Sequence, residues 1–378
     1  MGTHPSKPSH LLKDGKSLAD VLHADASLIG PAVREKFGDD LPFLFKVLAV
    51  GKALSIQAHP DKKLGAKLHK ERPDVYKDPN HKPEMAIALT PFSGFCGFKP
   101  LDQIADDVEN VPEFAAVVGD AGSSFVKAVR SADISVLASS AKERPEPLAK
   151  ALKDIFSALM NADSESVVKP RVRELVERVK REKGVSKASE LKAGSVEELI
   201  VRLDEQFPDD VGVFCAFLLN VVVLEPGQAA FLQANEPHAY LQGDIIECMA
   251  TSDNVVRAGL TPKLRDVPTL TSMLTYTWAG PDAQKMRADK FRSCEHTKLY
   301  DPPIAEFSVA LVDTTSSGSE SHPPIDGPSI VIVTALEGGK GAVGGLPVHR
   351  AGQVFFVGAG AELSFEGKLV AYRAYVTV

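Results

Sequence analysis

The chain has 378 residues, 44% hydrophobic and 25% charged, with a net charge of −7 at pH 7. This is the composition of an ordinary globular protein, long enough for two or three packed domains, and its acidity excludes nucleic acid as the main partner. No apolar run reaches a membrane span, no signal peptide opens the chain, and Cys96, Cys215, Cys248 and Cys294 form no CxxC pair, so reduced thiols in a cytoplasmic protein are expected.

In chain order, residues 17–28 carry apolar residues at helical spacing behind Ser17, a suitable N-cap. Residues 41–50 form a dense apolar run whose Phe and Val content predicts a buried strand. Gly51 punctuates it, and a second strand is expected over 54–59. Residues 60–83 are charged and proline-punctuated, which predicts a short helix and a loop. Another strand follows over 85–89. From Pro100 to about Pro208 the texture changes to apolar residues three and four apart, such as Leu148, Leu152, Ile155 and Leu159, then Val172, Leu175, Val176 and Val179. That spacing predicts amphipathic helices, with the mixed charges of 171–183 on a solvated outer face. Strand texture returns at 216–224, then Pro226-Gly227 and a further strand leading to His238. Residues 314–328 are rich in Ser, Gly and Pro and predict a mobile loop. Short strands are expected over 330–336, 353–357, 363–365 and 369–378.

Three stretches carry chemistry. Gln57 and His59 stand two apart, a spacing that puts both side chains on one face of a strand. Glu84 follows a charged loop, and His238 follows a proline far downstream. An amide oxygen, imidazoles and a carboxylate without thiolates suit a borderline divalent ion with room for water or substrate oxygens. Further on, Arg257 and Lys263 flank Gly259 and Pro262, a stretch expected to turn and bring both cations to one pocket. Arg suits bidentate recognition of a phosphate, and Lys adds a compact charge. Ser55 and Lys82 flank the metal set. The Pro-Gly turn and the His after a Pro are similar to the second half of a cupin motif, with Gln57, His59 and Glu84 as its first half. The wide separation of these parts fits a jelly roll interrupted by the helical block.

The segments Leu54-Ser-Ile-Gln-Ala-His-Pro-Asp-Lys62, Asn80-His-Lys-Pro-Glu-Met-Ala-Ile-Ala-Leu-Thr-Pro-Phe92, Glu236-Pro-His-Ala-Tyr-Leu-Gln-Gly-Asp244 and Glu247-Cys-Met-Ala-Thr-Ser-Asp-Asn-Val-Val-Arg-Ala-Gly-Leu-Thr-Pro-Lys263 closely resemble the type I mannose-6-phosphate isomerase (phosphomannose isomerase) family. The resemblance runs along the whole chain and is faintest in 101–215. It implies a mainly β fold of two cupin-like jelly rolls with a helical insertion. Residues 1–100 and 216–290 would form the metal-binding catalytic domain, 101–215 the insertion and 291–378 a degenerate cupin without a second metal set. It further implies one Zn²⁺ per chain on Gln57, His59, Glu84 and His238, with Arg257 catalytic and Ser55, Lys82 and Lys263 contacting a sugar phosphate. The reaction would interconvert mannose 6-phosphate and fructose 6-phosphate, feeding GDP-mannose synthesis, in a cytoplasmic monomer. Glu247, Asp253, His81, Lys82 and Lys263 are all candidate proton carriers.

The chain opens with Met-Gly-Thr-His-Pro-Ser, a phrase that in the family follows an aromatic-rich Tyr-Ala-Glu-Leu-Trp-like run. Loss of such a segment is expected to leave the fold in outline while lowering stability and activity. Two other readings compete: a truncated form that binds sugar phosphate without turnover, and a cupin oxygenase using Fe²⁺, against which Gln57 and the Arg257/Lys263 clamp argue.

Overall fold

In a computed structural model of the chain, the structure describes residues 1–137 and 144–378. Eight strands build the site: β1 (Phe43–Val50), β2 (Ile56–Ala58), β3 (Glu84–Ala88), β4 (Phe92–Phe98), β5 (Leu219–Leu224), β6 (Ala229–Leu232), β7 (His238–Ala250) and β8 (Val256–Gly259). With Lys285–Met286 they form one nine-stranded sheet. The hub is β7, which is antiparallel to β1, β2, β3 and β4.

One strand can serve two parts of a curled sheet because it bends at Gly243, where φ is +109°. A Cβ there would lie 2.5 Å from the Pro91 carbonyl oxygen, so only glycine fits the corner. Across it the inward-facing positions change parity. Tyr240 and Ile245 both pack with Ala86, Ala88, Phe92 and Leu232 inside the roll. The outer face of the same strands, Phe43, Phe45, Met85, Ile87, Ile246 and Cys248, packs on Tyr300, Val309, Ile330 and Tyr372 of the C-terminal sheet. Each fully buried aromatic or aliphatic side chain stabilises the junction by roughly 1.5–3 kcal/mol.

The fold is mainly β and cupin-like with an α insertion, as the sequence implies. Between β4 and β5 the described residues include the longer helices Leu101–Asn110, Pro112–Arg130, Glu146–Asn161, Lys169–Lys183 and Val196–Gln206. The apolar residues singled out at 148–159 and 172–179 are all buried. The charged face of Lys169–Lys183 is not wholly solvated, however. Arg178 makes a two-pronged contact with the buried Glu113, Nε–Oε1 2.7 Å and Nη2–Oε2 2.8 Å, tying two helices together.

The C-terminal part is a six-stranded sheet facing a four-stranded one. Val331, Val333, Val343 and Phe365 fill the space between them. Three expectations need correction. The run 216–224 begins as the end of a 3-10 helix, Val211–Phe217, and becomes a strand only at Leu219. The mobile loop expected over 314–328 contains a strand, Ser319–His322, because its ladder to Leu363–Glu366 overrides the local loop composition. Finally, β1 is less buried than its sequence suggests: it pairs with β7, and Val47 is 46% exposed. A hairpin not anticipated joins Gly341–Val343 to Leu346–Val348. Its two-residue turn needs positive φ twice, and Gly344 (57°) and Gly345 (73°) supply it.

His322 makes this part acid-sensitive. Arg373 Nη1 donates to its Nδ1 at 3.2 Å, so Nε2–H faces the Thr297 hydroxyl at 2.9 Å. Burial, then the Arg373 and Arg292 guanidiniums, push its pKa down to about 3. The folded state therefore binds fewer protons than the unfolded chain between pH 3 and the ordinary histidine value near 6.5. Stability is fully present above that upper value and falls by about 1.4 kcal/mol per pH unit as acid is added below it. Urea midpoints measured at pH 7 and pH 5 should converge in His322→Gln relative to the parent; an unchanged slope would assign the acid sensitivity elsewhere.

Candidate metal centre

His59, Glu84 and His238 reach one point from three different strands or their ends. Their ligand atoms all lie within 4.8 Å of one another, and all three side chains are buried. His59 Nε2 is 3.4 Å from Glu84 Oε1, and His238 Nε2 is 3.5 Å from Glu84 Oε2. Gln57 enters by register, directly opposite both His238 on β7 and Arg257 on β8. Opposed residues of an antiparallel pair project to one face, so the three side chains share it. The strand carrying Gln57 is shorter than expected, Ile56–Ala58, because Pro60 cannot donate to a ladder. His59 therefore stands just past its end.

The second nitrogen of each imidazole is fixed by the backbone. His59 Nδ1 lies 2.7 Å from the Asn254 carbonyl oxygen, and His238 Nδ1 lies 3.0 Å from that of Glu236. A carbonyl only accepts, so both Nδ1 atoms carry the proton and both Nε2 lone pairs face Glu84. Those two Nε2 atoms are buried without a hydrogen-bond partner. Two orphaned lone pairs beside a carboxylate are costly in isolation and fit a divalent cation. Burial foremost, with Lys82 adding to it, pushes the His59 pKa down to about 4, which keeps the imidazole neutral for ligation. Burial opposes ionisation of Glu84, but the Lys82 ammonium outweighs it and holds the carboxyl well below its usual range.

Asn254 braces the centre. Its amide donates to the Asp78 and Asn80 carbonyls at 2.6 and 2.9 Å, tying the loop before Glu84 to the turn that orients His59. Lys82 Nζ lies 3.0 Å from Glu84 Oε1. Ser55 Oγ donates to Gln57 Oε1 at 3.4 Å. Arg257 is half-buried on β8; burial lowers its pKa, and among the described residues it has no ion-pair partner. Lys263 is exposed six residues on.

The candidate proton carriers separate in space. His81 is held by Glu306 at 2.6 Å and faces the C-terminal part. Asp253 is exposed, with His4 at 3.3 Å. Glu247 is buried on β7 opposite Ala86, on the inner face, and is paired with Lys46 at 2.6 Å. Burial first, then Glu84, raise its pKa. Tyr240 donates to Glu84 Oε2 at 3.4 Å from the same interior. Lys46 and Tyr240 were not singled out in the sequence. The signal for Lys46 was present: it is the single charge in an apolar strand, at the parity opposite Phe43 and Phe45.

Three models of phosphomannose isomerase type I match the chain: the catalytic domain over residues 1–101, the helical insertion domain over 125–219 and the C-terminal part over 298–341. The mannose-6-phosphate isomerase of Cryptococcus neoformans is 48% identical over 389 residues, covering 100% of this chain and 88% of that protein. The chain belongs to the type I phosphomannose isomerase family. It is thereby an isomerase by family. The Saccharomyces cerevisiae mannose-6-phosphate isomerase is 45% identical with the same coverage. Among solved structures, a point mutant of the Salmonella typhimurium phosphomannose isomerase superposes with a TM-score of 0.82 at 29% identity, covering 100% of this chain and 90% of that one. A mannose 6-phosphate isomerase bound with zinc and yttrium gives 0.80 at 29% identity and the same coverage. No helix among the described residues is long and apolar enough to cross a membrane.

Proposed function

We propose that this chain interconverts mannose 6-phosphate and fructose 6-phosphate, with one Zn²⁺ held by Gln57, His59, Glu84 and His238. The observation that carries the metal is the pair of orphaned Nε2 atoms facing Glu84 in a member of this isomerase family. Bound zinc supplies positive charge for the oxygens of the sugar and order for its ligands. The chain's own residues do the rest. Arg257, with no carboxylate among the described residues to neutralise it, is the cation for the charge that develops on oxygen as a proton moves between C2 and C1 through an enediol-type intermediate. Glu247 is the favoured proton carrier: it is buried, burial and Glu84 raise its pKa, and Lys46 holds it in place. Lys82 keeps Glu84 ionised for ligation. Ser55 orients Gln57 and, with Lys82 and Lys263, contacts the sugar phosphate.

The proposed division follows the chemistry. Residues 1–100 and 216–290 form the catalytic domain, 101–215 the helical insertion and 291–378 the C-terminal β domain. A cytoplasmic monomer whose product feeds GDP-mannose synthesis completes the reading.

The test is formation of fructose 6-phosphate from mannose 6-phosphate by the purified chain, with bound metal measured in parallel. Turnover abolished by a chelator and restored by Zn²⁺ supports the proposal. A zinc-loaded, folded chain without turnover would make this form a sugar-phosphate binder, and iron in place of zinc would revive the oxygenase reading. Glu247→Gln keeps shape while removing the base, so turnover should fall by about 10²–10⁴ with zinc content unchanged. Retained turnover would move the proton to another group.

A further inference from the structure

Asp210 lies near the end of the helical insertion and caps the 3-10 helix Val211–Phe217, where its Oδ1 accepts the Gly212 N–H at 2.7 Å. The carboxylate also reaches outside its own element. Oδ1 accepts the Leu260 N–H at 2.6 Å, and Oδ2 accepts the Thr261 N–H at 3.2 Å. These amides belong to the turn that joins Arg257 to Lys263. The turn is conformationally costly, because buried Leu260 has φ +52°, where side chains are disfavoured. Such a residue persists only when its surroundings over-determine it. Here they do. A Cβ on Gly259 would lie 2.8 Å from Gly212 Cα, and one on Gly212 would lie 2.6 Å from Leu260 Cγ, so the two backbones touch. Just beyond the turn, Arg265 Nη2 donates to the Met160 carbonyl of helix Glu146–Asn161 at 3.1 Å.

We infer that Asp210 is a positioning residue for the anion-binding end of the site: it clamps the Gly259–Leu260–Thr261 turn to the helical insertion and thereby aims Arg257 and Lys263. The inference rests on the proposed function, in which Lys263 contacts the sugar phosphate and Arg257 faces the charge developing on the reacting oxygens. Converging backbone amides make a ready anion nest. In this chain the nest is filled by an internal carboxylate, so the amides of Leu260 and Thr261 are not left for the substrate. Phosphate recognition therefore falls to side chains, whose reach depends on where the turn is pinned. A displacement of about 1 Å in such a group can cost on the order of a hundredfold in rate. The helical insertion accordingly takes part in substrate recognition without touching the substrate.

The test compares Asp210→Ala, Asp210→Asn and Gly212→Ala in the full chain. For each, kcat and KM for mannose 6-phosphate, affinity for inorganic phosphate by calorimetry, zinc content and melting temperature are measured. Asp210→Ala should raise KM and weaken phosphate binding together by about tenfold or more, with zinc at the parental level. Asp210→Asn keeps one acceptor oxygen and should shift both by a few-fold. Gly212→Ala pushes on Leu260 with Asp210 intact and should reproduce the rise. A lowered melting temperature with parental KM and phosphate affinity in all soluble variants would overturn the inference and leave Asp210 a cap. Should the parent chain bind phosphate without turning over sugar, the proposed reaction fails while phosphate affinity still decides the clamp. A parent that binds no phosphate overturns the clamp as well.

Discussion

Replacing Glu84 with Gln should strip the chain of zinc and abolish turnover, and should also destabilise the metal-free protein by about 3–5 kcal/mol. The two losses have different origins. Zinc leaves because the amide offers no negative charge between the two imidazoles. The metal-free loss arises because Lys82 is left without the nearest of its counter-charges. Its ammonium lies 3.0 Å from Glu84 Oε1 and is only 13% exposed. Burial opposes its charge, and Glu84 first, then Glu247, hold its pKa above the ordinary lysine value. Urea unfolding of chelated parent and chelated variant separates this effect from metal linkage. Adding Lys82→Met to Glu84→Gln should recover part of the lost stability but none of the zinc. Full zinc retention by the single variant would remove Glu84 from the ligand set, and additive losses in the double variant would show that the two charges are not coupled.

Arg257→Ala should behave in the opposite way, lowering kcat/KM by about 10²–10³ while stability stays within about 0.5 kcal/mol of the parent. Among the described residues Arg257 has no ion-pair partner, and burial alone lowers its pKa. Its removal therefore leaves no orphaned carboxylate. Arg257→Lys should recover only part of the activity, because a point charge cannot reproduce the planar fork. Zinc content should match the parent in both variants. A large fall in stability or zinc would make Arg257 a structural residue, and parental turnover in Arg257→Ala would remove it from catalysis.

The positions of the elements were largely legible from periodicity. Residues 148–159 and 172–179 bury the apolar stripes that their spacing marks. Ser17 caps helix Leu18–Ala24, as its side chain suggests. Misreadings fell where local composition and tertiary pairing disagree. Ser319–His322 is a strand because Leu363–Glu366 lies beside it, a partner 40 or more positions away in sequence. Arg178 looks like one more surface charge until the buried Glu113 is found opposite it.

By itself the sequence determined the chemistry of the candidate centre: which residue types are present, that thiolates are not among them, and that the wording around them is that of type I phosphomannose isomerases. It did so because ligand identity and family wording are local properties, carried by short runs such as residues 54–62 and 80–92. The tertiary structure alone decided which groups meet. The parity change at Gly243 brings His238 and Glu247 to the same interior. The carbonyls of Asn254 and Glu236 fix which imidazole nitrogen faces Glu84. The carboxylate of Asp210 pins a turn 50 residues downstream. The physical reason is the same in each case. Burial and hydrogen-bond pairing depend on neighbours that chain folding brings together, and no spacing rule along the sequence encodes distances of a few ångströms between remote segments.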